Sequence, residues 1–165
     1  MATDQFQTQT PTGEVAGIKI IPPWLALALL GVTLVLHFML PESRNVGLFQ
    51  YVGVILIAAG FACSFFGSGL FHGRETTVNP FGEPGKIVTE LPFSFTRNPM
   101  YLGFTTALLG FALFFESFVM LLAPAIFFAV IDKTVIPREE AAMERIFGQQ
   151  YLDYKAKVPR WIYKY

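Results

Sequence analysis

The chain has 165 residues, of which 53 % are hydrophobic and only 15 % charged, and its formal net charge is zero. Soluble domains carry about a quarter charged residues, so the composition argues against an ordinary water-soluble core. The neutral balance gives a nucleic-acid partner no electrostatic support, and the 18 phenylalanines suit helices packed in lipid.

In chain order, residues 1–19 form a polar leader rich in Thr and Gln, expected to be loosely ordered. The first apolar run begins after Lys19, the only basic residue of the leader, so it does not read as a signal peptide. Crossing a bilayer takes about 20 apolar residues. Charges divide the rest into candidate spans at about 22–41, 46–72, 99–115 and 117–136. Pro22 and Pro23 suit the first helix start, and Pro41 closes it. Glu116-Ser117 reads as the tight turn of a hairpin, with Asp132 and Lys133 extending the fourth helix and snorkelling to the surface. Gly60, Ser64 and Ser68 form a small-residue ridge on the second helix, and Gly103 and Ala107 do so on the third.

Cys63 stands alone in an apolar run and reads as a small buried hydrophobe. His37 and His72 have no second ligand at helical spacing, so no metal site is expected. His37 reads as packed in the bundle and His72 as interfacial.

Loop charge sets the expected orientation. Arg74, Lys86 and Arg97 lie in the loop 73–98, and Arg138, Arg145, Lys155, Lys157, Arg160 and Lys164 lie in the tail. The other two connections hold only Arg44. Both termini, the long loop and the tail are therefore expected in the cytoplasm. The predicted fold is all-α: one membrane domain over 20–165, a bundle of about four transmembrane helices with cytoplasmic helices at 137–158.

The loop 73–98 is rich in turn formers, including Pro80, Gly82, Pro84 and Gly85. A loop of that length is uncommon unless it has a function. Asn98 and Pro99 fit the N-cap and first position of the third helix. Backbone N–H groups there, with Arg97 beside them, could hold a carboxylate. In the tail, Pro137 fits a first helical turn, with Glu139 and Glu140 near its positive end. Ala142, Ile146 and Phe147 share one face, and Tyr151, Tyr154 and Val158 another. Gly148 divides the tail into two helices and Pro159 ends the second. A plain amphipathic helix on the membrane, its acidic pair solvated, fits the same residues.

The segment Arg97-Asn98-Pro99-Met100-Tyr101-Leu102-Gly103 is followed by an apolar hairpin. Then come Glu139-Glu140, Arg145-Ile146-Phe147-Gly148, Tyr151, Tyr154 and Val158-Pro159-Arg160. Together these blocks resemble the isoprenylcysteine carboxyl methyltransferase family, which is related to the phospholipid methyltransferases. The resemblance covers roughly Thr76 to Trp161. It implies S-adenosylmethionine as cofactor and a lipid-like or isoprenylated acceptor entering from the bilayer. It places Gly85, Lys86, Ile87, Val88, Phe93, Asn98, Pro99, Met100, Tyr101, Glu139 and Glu140 at the cofactor, with Arg97, Tyr101 and Glu139 as catalytic residues. Asn98 stands where many members have histidine, Leu91 where glycine is usual, and Ser94 where a basic residue is usual. An NADPH-dependent membrane reductase related to sterol reductases, which carry a similar Arg-x-Pro-x-Tyr segment, is the competing enzyme reading. A non-catalytic membrane protein of the same fold is the other.

Overall fold

The computed structural model describes residues 20–40, 47–73 and 91–162, with side chains to 69 in the middle stretch. The leader, the α1–α2 connection, the His72 side chain, and Gly85, Lys86, Ile87 and Val88 lie outside the described residues.

The described part is all helical. Helix α1 is Pro22–Met39, α2 Leu48–Gly73 and α3 Pro99–Phe114. After a 3₁₀ turn at Val119–Leu121 come α4 (Leu122–Val130), a π-helical turn (Ile131–Val135), α5 (Ile136–Phe147) and α6 (Gln149–Lys157). Three helical stretches are long and apolar enough to cross a membrane: Pro22–Met39, Leu48–Gly69 within α2, and the continuous run Val119–Phe147. These are consistent with an integral membrane location. The expected third span falls short. With 16 residues, α3 reaches about 24 Å at ~1.5 Å per residue, against a hydrocarbon core of ~30 Å.

Helix α2 lies along α3 with almost no side chain between them. A Cβ added at Gly60 would stand 2.5 Å from the Gly103 carbonyl oxygen and 2.6 Å from the Ala107 nitrogen. Gly53 meets Gly110 and Phe114 in the same way. The ridge is thus Gly53, Gly60, Ser64 and Gly67 against Met100, Gly103, Ala107 and Gly110. Ser68, expected on it, donates to the Phe65 carbonyl within its own helix (3.0 Å). Ser64 Oγ donates to the Met100 carbonyl (3.0 Å), and the half-buried Cys63 Sγ to that of Pro99 (3.3 Å). Close approach of this kind favours packing where lipid supplies no hydrophobic drive.

Helix α1 covers α4 and the 3₁₀ turn. The core beneath it contains Ala26, Leu108, Ala123, Phe127, Ile131, Val135, Ile136 and Trp161. His37 is buried, its ring 5.2 Å from Phe38 and 5.4 Å from Phe115. The hairpin turns at Glu116, whose φ is 48°, as the sequence predicts.

Pro137 stands in the first turn of α5, as expected. The chain enters it already helical, through the π turn. Proline lacks the N–H that an α-helix would use at this position. A π turn inserts one residue and accommodates that loss, and Thr134 Oγ1 donates to the Val130 carbonyl within it (2.6 Å). Gly148 separates α5 from α6 at φ 52°, ψ −127°, a conformation side chains resist. Val158, extended ahead of Pro159, ends α6.

Candidate functional site

The apolar stretch that includes α4 closes at Ile136, and the charged tail beyond it folds back over the start of α3. Two contacts at adjacent positions of α5 join it to α3 and to the segment just before α3. Tyr101 Oη donates to Glu139 Oε1 at 2.6 Å. Arg97 Nη1 stands 2.9 Å from Glu140 Oε1. The structure therefore brings Arg97, Tyr101, Glu139 and Glu140 together, although about forty positions separate the two pairs in the sequence.

The two glutamates have different surroundings. Glu140 is buried and saturated with cations. Arg160 Nε and Nη2 bind its two oxygens at 3.1 and 3.0 Å, Arg97 pairs with one, and Lys155 Nζ lies 3.4 Å from the other. Burial pushes its pKa up, but the Arg160 hydrogen bonds and the charges of Arg97, Arg160 and Lys155 outweigh burial. They leave Glu140 below the usual carboxylate range. Glu139 has no cation among the described residues. Burial raises its pKa to about 7; the Tyr101 hydrogen bond offsets this only in part, and the charge of Glu140 adds to it.

Arg97 is nearly buried, and its Nε and Nη1 lack a hydrogen bond among the described residues. The Nη1 contact with Glu140 is an ion pair without hydrogen-bond geometry. Buried donors without acceptors are costly, and a ligand carboxylate would satisfy them.

Asn98 occupies the N-cap position of α3 but forms no cap with its side chain. Its Nδ2 instead donates to the Arg160 carbonyl (3.0 Å), which also accepts from Thr96 Oγ1 (2.9 Å). The Arg97 N–H donates to the Pro159 carbonyl (3.0 Å). Pro99 starts the helix as expected and is buried, while Met100 is half-buried against Gly67. Phe93 is buried, and its carbonyl accepts from Tyr154 Oη (2.7 Å), which fixes the turn at 91–95. Leu91 is exposed. Ser94 is exposed.

Sequence reasoning assigned no role to Arg160, Trp161, Asp132, Tyr154 or Lys155 in this assembly. Asp132 does not snorkel. Its side chain is 14 % exposed against 81 % for Lys133. Its Oδ1 accepts from Arg160 Nη1 (3.2 Å) and Trp161 Nε1 (3.0 Å). The signal was the lone acid at the end of an apolar run, since an ionisable group there needs a partner.

The residues present fit the amino-acid end of S-adenosylmethionine. A buried carboxylate without a cation among the described residues matches its ammonium group, and the Arg97 donors that lack a hydrogen bond among the described residues match its carboxylate. The family model described as phospholipid methyltransferase matches residues 48–150. An uncharacterised protein of Haemophilus influenzae is 40 % identical over 63 residues, which is 38 % of this chain and the whole of that protein. No solved structure matches the chain.

Proposed function

Because the chain belongs to the phospholipid methyltransferase family, we propose that it methylates a lipid-like or isoprenylated acceptor that reaches the site from the bilayer, with S-adenosylmethionine as donor. The observation that carries this reading is the contrast between Glu139 and Glu140. One acid is neutralised by the protein's own cations; the other is buried and left for a ligand's charge.

When bound, S-adenosylmethionine supplies a methyl group on a sulfonium, so displacement needs neither a covalent enzyme intermediate nor a general-base dyad. The chain's own residues provide placement and dryness. Glu139 holds the ammonium, and Tyr101 orients Glu139 through its hydroxyl. Arg97 offers donors to the carboxylate. Phe93, Pro99 and Met100 form the apolar surroundings that limit water. Gly85, Lys86, Ile87 and Val88 are proposed to complete the adenosine side. The proposed topology places this face and both termini in the cytoplasm, with α3 as a short fourth crossing. The site's position at the end of apolar helices favours an acceptor with a lipid tail.

The test is calorimetry on detergent-purified protein with S-adenosylmethionine and with NADPH. Methyl transfer expects binding of the first alone, lost in Glu139→Ala. Binding of NADPH alone would overturn the proposal in favour of a reductase, and binding of neither would favour a non-catalytic role.

A further inference from the structure

Arg160 lies beyond the family-matched stretch, yet it reaches α5, the π turn and the segment that starts α3. Its guanidinium grips both oxygens of Glu140 on α5 and reaches Asp132 Oδ1 in the π turn. Its carbonyl accepts from Thr96 and Asn98 at the start of α3. The neighbouring Trp161 is 5 % exposed, stacks on Phe128 with ring centroids 4.6 Å apart, and donates to the same Asp132 oxygen.

Neighbouring residues on an α-helix point about 100° apart, so Glu139 and Glu140 cannot both face Tyr101. Helix α5 has no start of its own to fix its rotation. It continues from α4 through the π turn, whose extra residue rotates everything after it by about the same angle. The two-point bond from Arg160 to Glu140 is what locks that rotation. A bidentate guanidinium–carboxylate pair constrains direction, which a lysine contact does not.

We propose that Arg160, anchored by Asp132, is a positioning residue that sets the register of α5 and so turns Glu139 toward Tyr101 and the methyl-donor site. This rests on the reading of Glu139 as the residue that holds the donor, so the decisive readout is independent of donor binding. In full-length protein carrying Cys63→Ala, Tyr101→Cys and Glu139→Cys, a short bifunctional thiol reagent bridges positions 101 and 139. A control pair, Ser64→Cys with Met100→Cys, reports the α2–α3 seam in the same background.

Arg160→Gln and Arg160→Lys are expected to slow 101–139 bridging about tenfold and leave the control pair unchanged, because lysine keeps the charge but not the geometry. Asp132→Asn is expected to act in the same direction more weakly. In the protein with Tyr101 and Glu139 intact, Arg160→Lys should weaken S-adenosylmethionine binding about tenfold. The proposal is overturned if Arg160→Lys leaves the ratio of the two bridging rates unchanged, or slows both pairs equally. Should Arg160→Gln not fold, Arg160→Lys and Asp132→Asn carry the test. A wild-type protein that fails to bind S-adenosylmethionine would sink the function proposed above, and the bridging ratio would still decide the role of Arg160.

Discussion

The α2–α3 seam and the knot between α3, α5 and the segment after α6 hold the molecule together by opposite means. Along the seam, Gly60 and Gly103 bring one helix's backbone against the other, and no charge takes part. In the knot, Glu140 gathers Arg97, Lys155 and Arg160, and carbonyls at Phe93, Pro159 and Arg160 accept bonds from distant residues. Shape decides the first region and electrostatics the second. The seam is consequently intolerant of volume and indifferent to pH, while the knot is sensitive to both charge and protonation.

The largest effect is expected from bulk in the seam. Gly103→Leu places a side chain where even a Cβ would meet the Gly60 carbonyl at 2.5 Å. Ordinary overpacking costs about 1–3 kcal/mol, and a backbone-to-backbone contact cannot yield as a side chain does, so the loss exceeds that range. Size-exclusion profiles in detergent should show little folded monomer. An intact, stable Gly103→Leu protein would mean that the seam is looser than its geometry.

Next comes the centre of the knot. Glu140→Ala removes the partner of Arg97 and Arg160 and should lower stability by about 3–5 kcal/mol, read from chemical unfolding. Removing Tyr101's hydroxyl should cost the fold less than that. Tyr101→Phe deletes one bond to a carboxylate, worth about 1.5–3 kcal/mol when the acid is charged. It should weaken S-adenosylmethionine binding about tenfold or more by calorimetry, with a smaller fall in the unfolding midpoint than Glu140→Ala gives.

Protonation separates the regions further. The ordinary carboxyl value for Glu139 is 4.5 and its folded value about 7. Between these pH values the native chain holds a proton that the unfolded chain releases. Glu139's contribution to stability is therefore full below 4.5 and is lost as pH rises through about 7. Thermal midpoints of wild type should fall across that window, and those of Glu139→Gln should not. A cationic ligand favours the ionised acid, so donor affinity should rise over the same window as the protein loses a proton on binding. The smallest effect is expected at Lys155, half-exposed beside Glu144 at 2.6 Å. Lys155→Ala should cost within about 1 kcal/mol and less at high salt.

The amino-acid sequence by itself determined the elements. Uncharged runs bounded by Lys19, Glu42, Arg97 and Glu116 give the apolar helices, because a charge in lipid is costly wherever it falls. Gly60, Ser64, Gly103 and Ala107 revealed the seam through their spacing alone, and Gly148 and Pro159 marked the breaks in the tail, since each acts on its own local backbone. The third apolar run does not give a helix of spanning length, because the charges that bound it, Arg97 and Glu116, leave room for only the 16 residues of α3 and its caps. Only the tertiary structure decided which acid does what. Glu139 and Glu140 are chemically identical neighbours, and their difference depends on a helix rotation set by a π turn and by Arg160, twenty positions away. Helical periodicity cannot predict an inserted residue, and it cannot say which arginine folds back. The burial that raises one carboxylate and the cations that lower the other exist only once those segments have met.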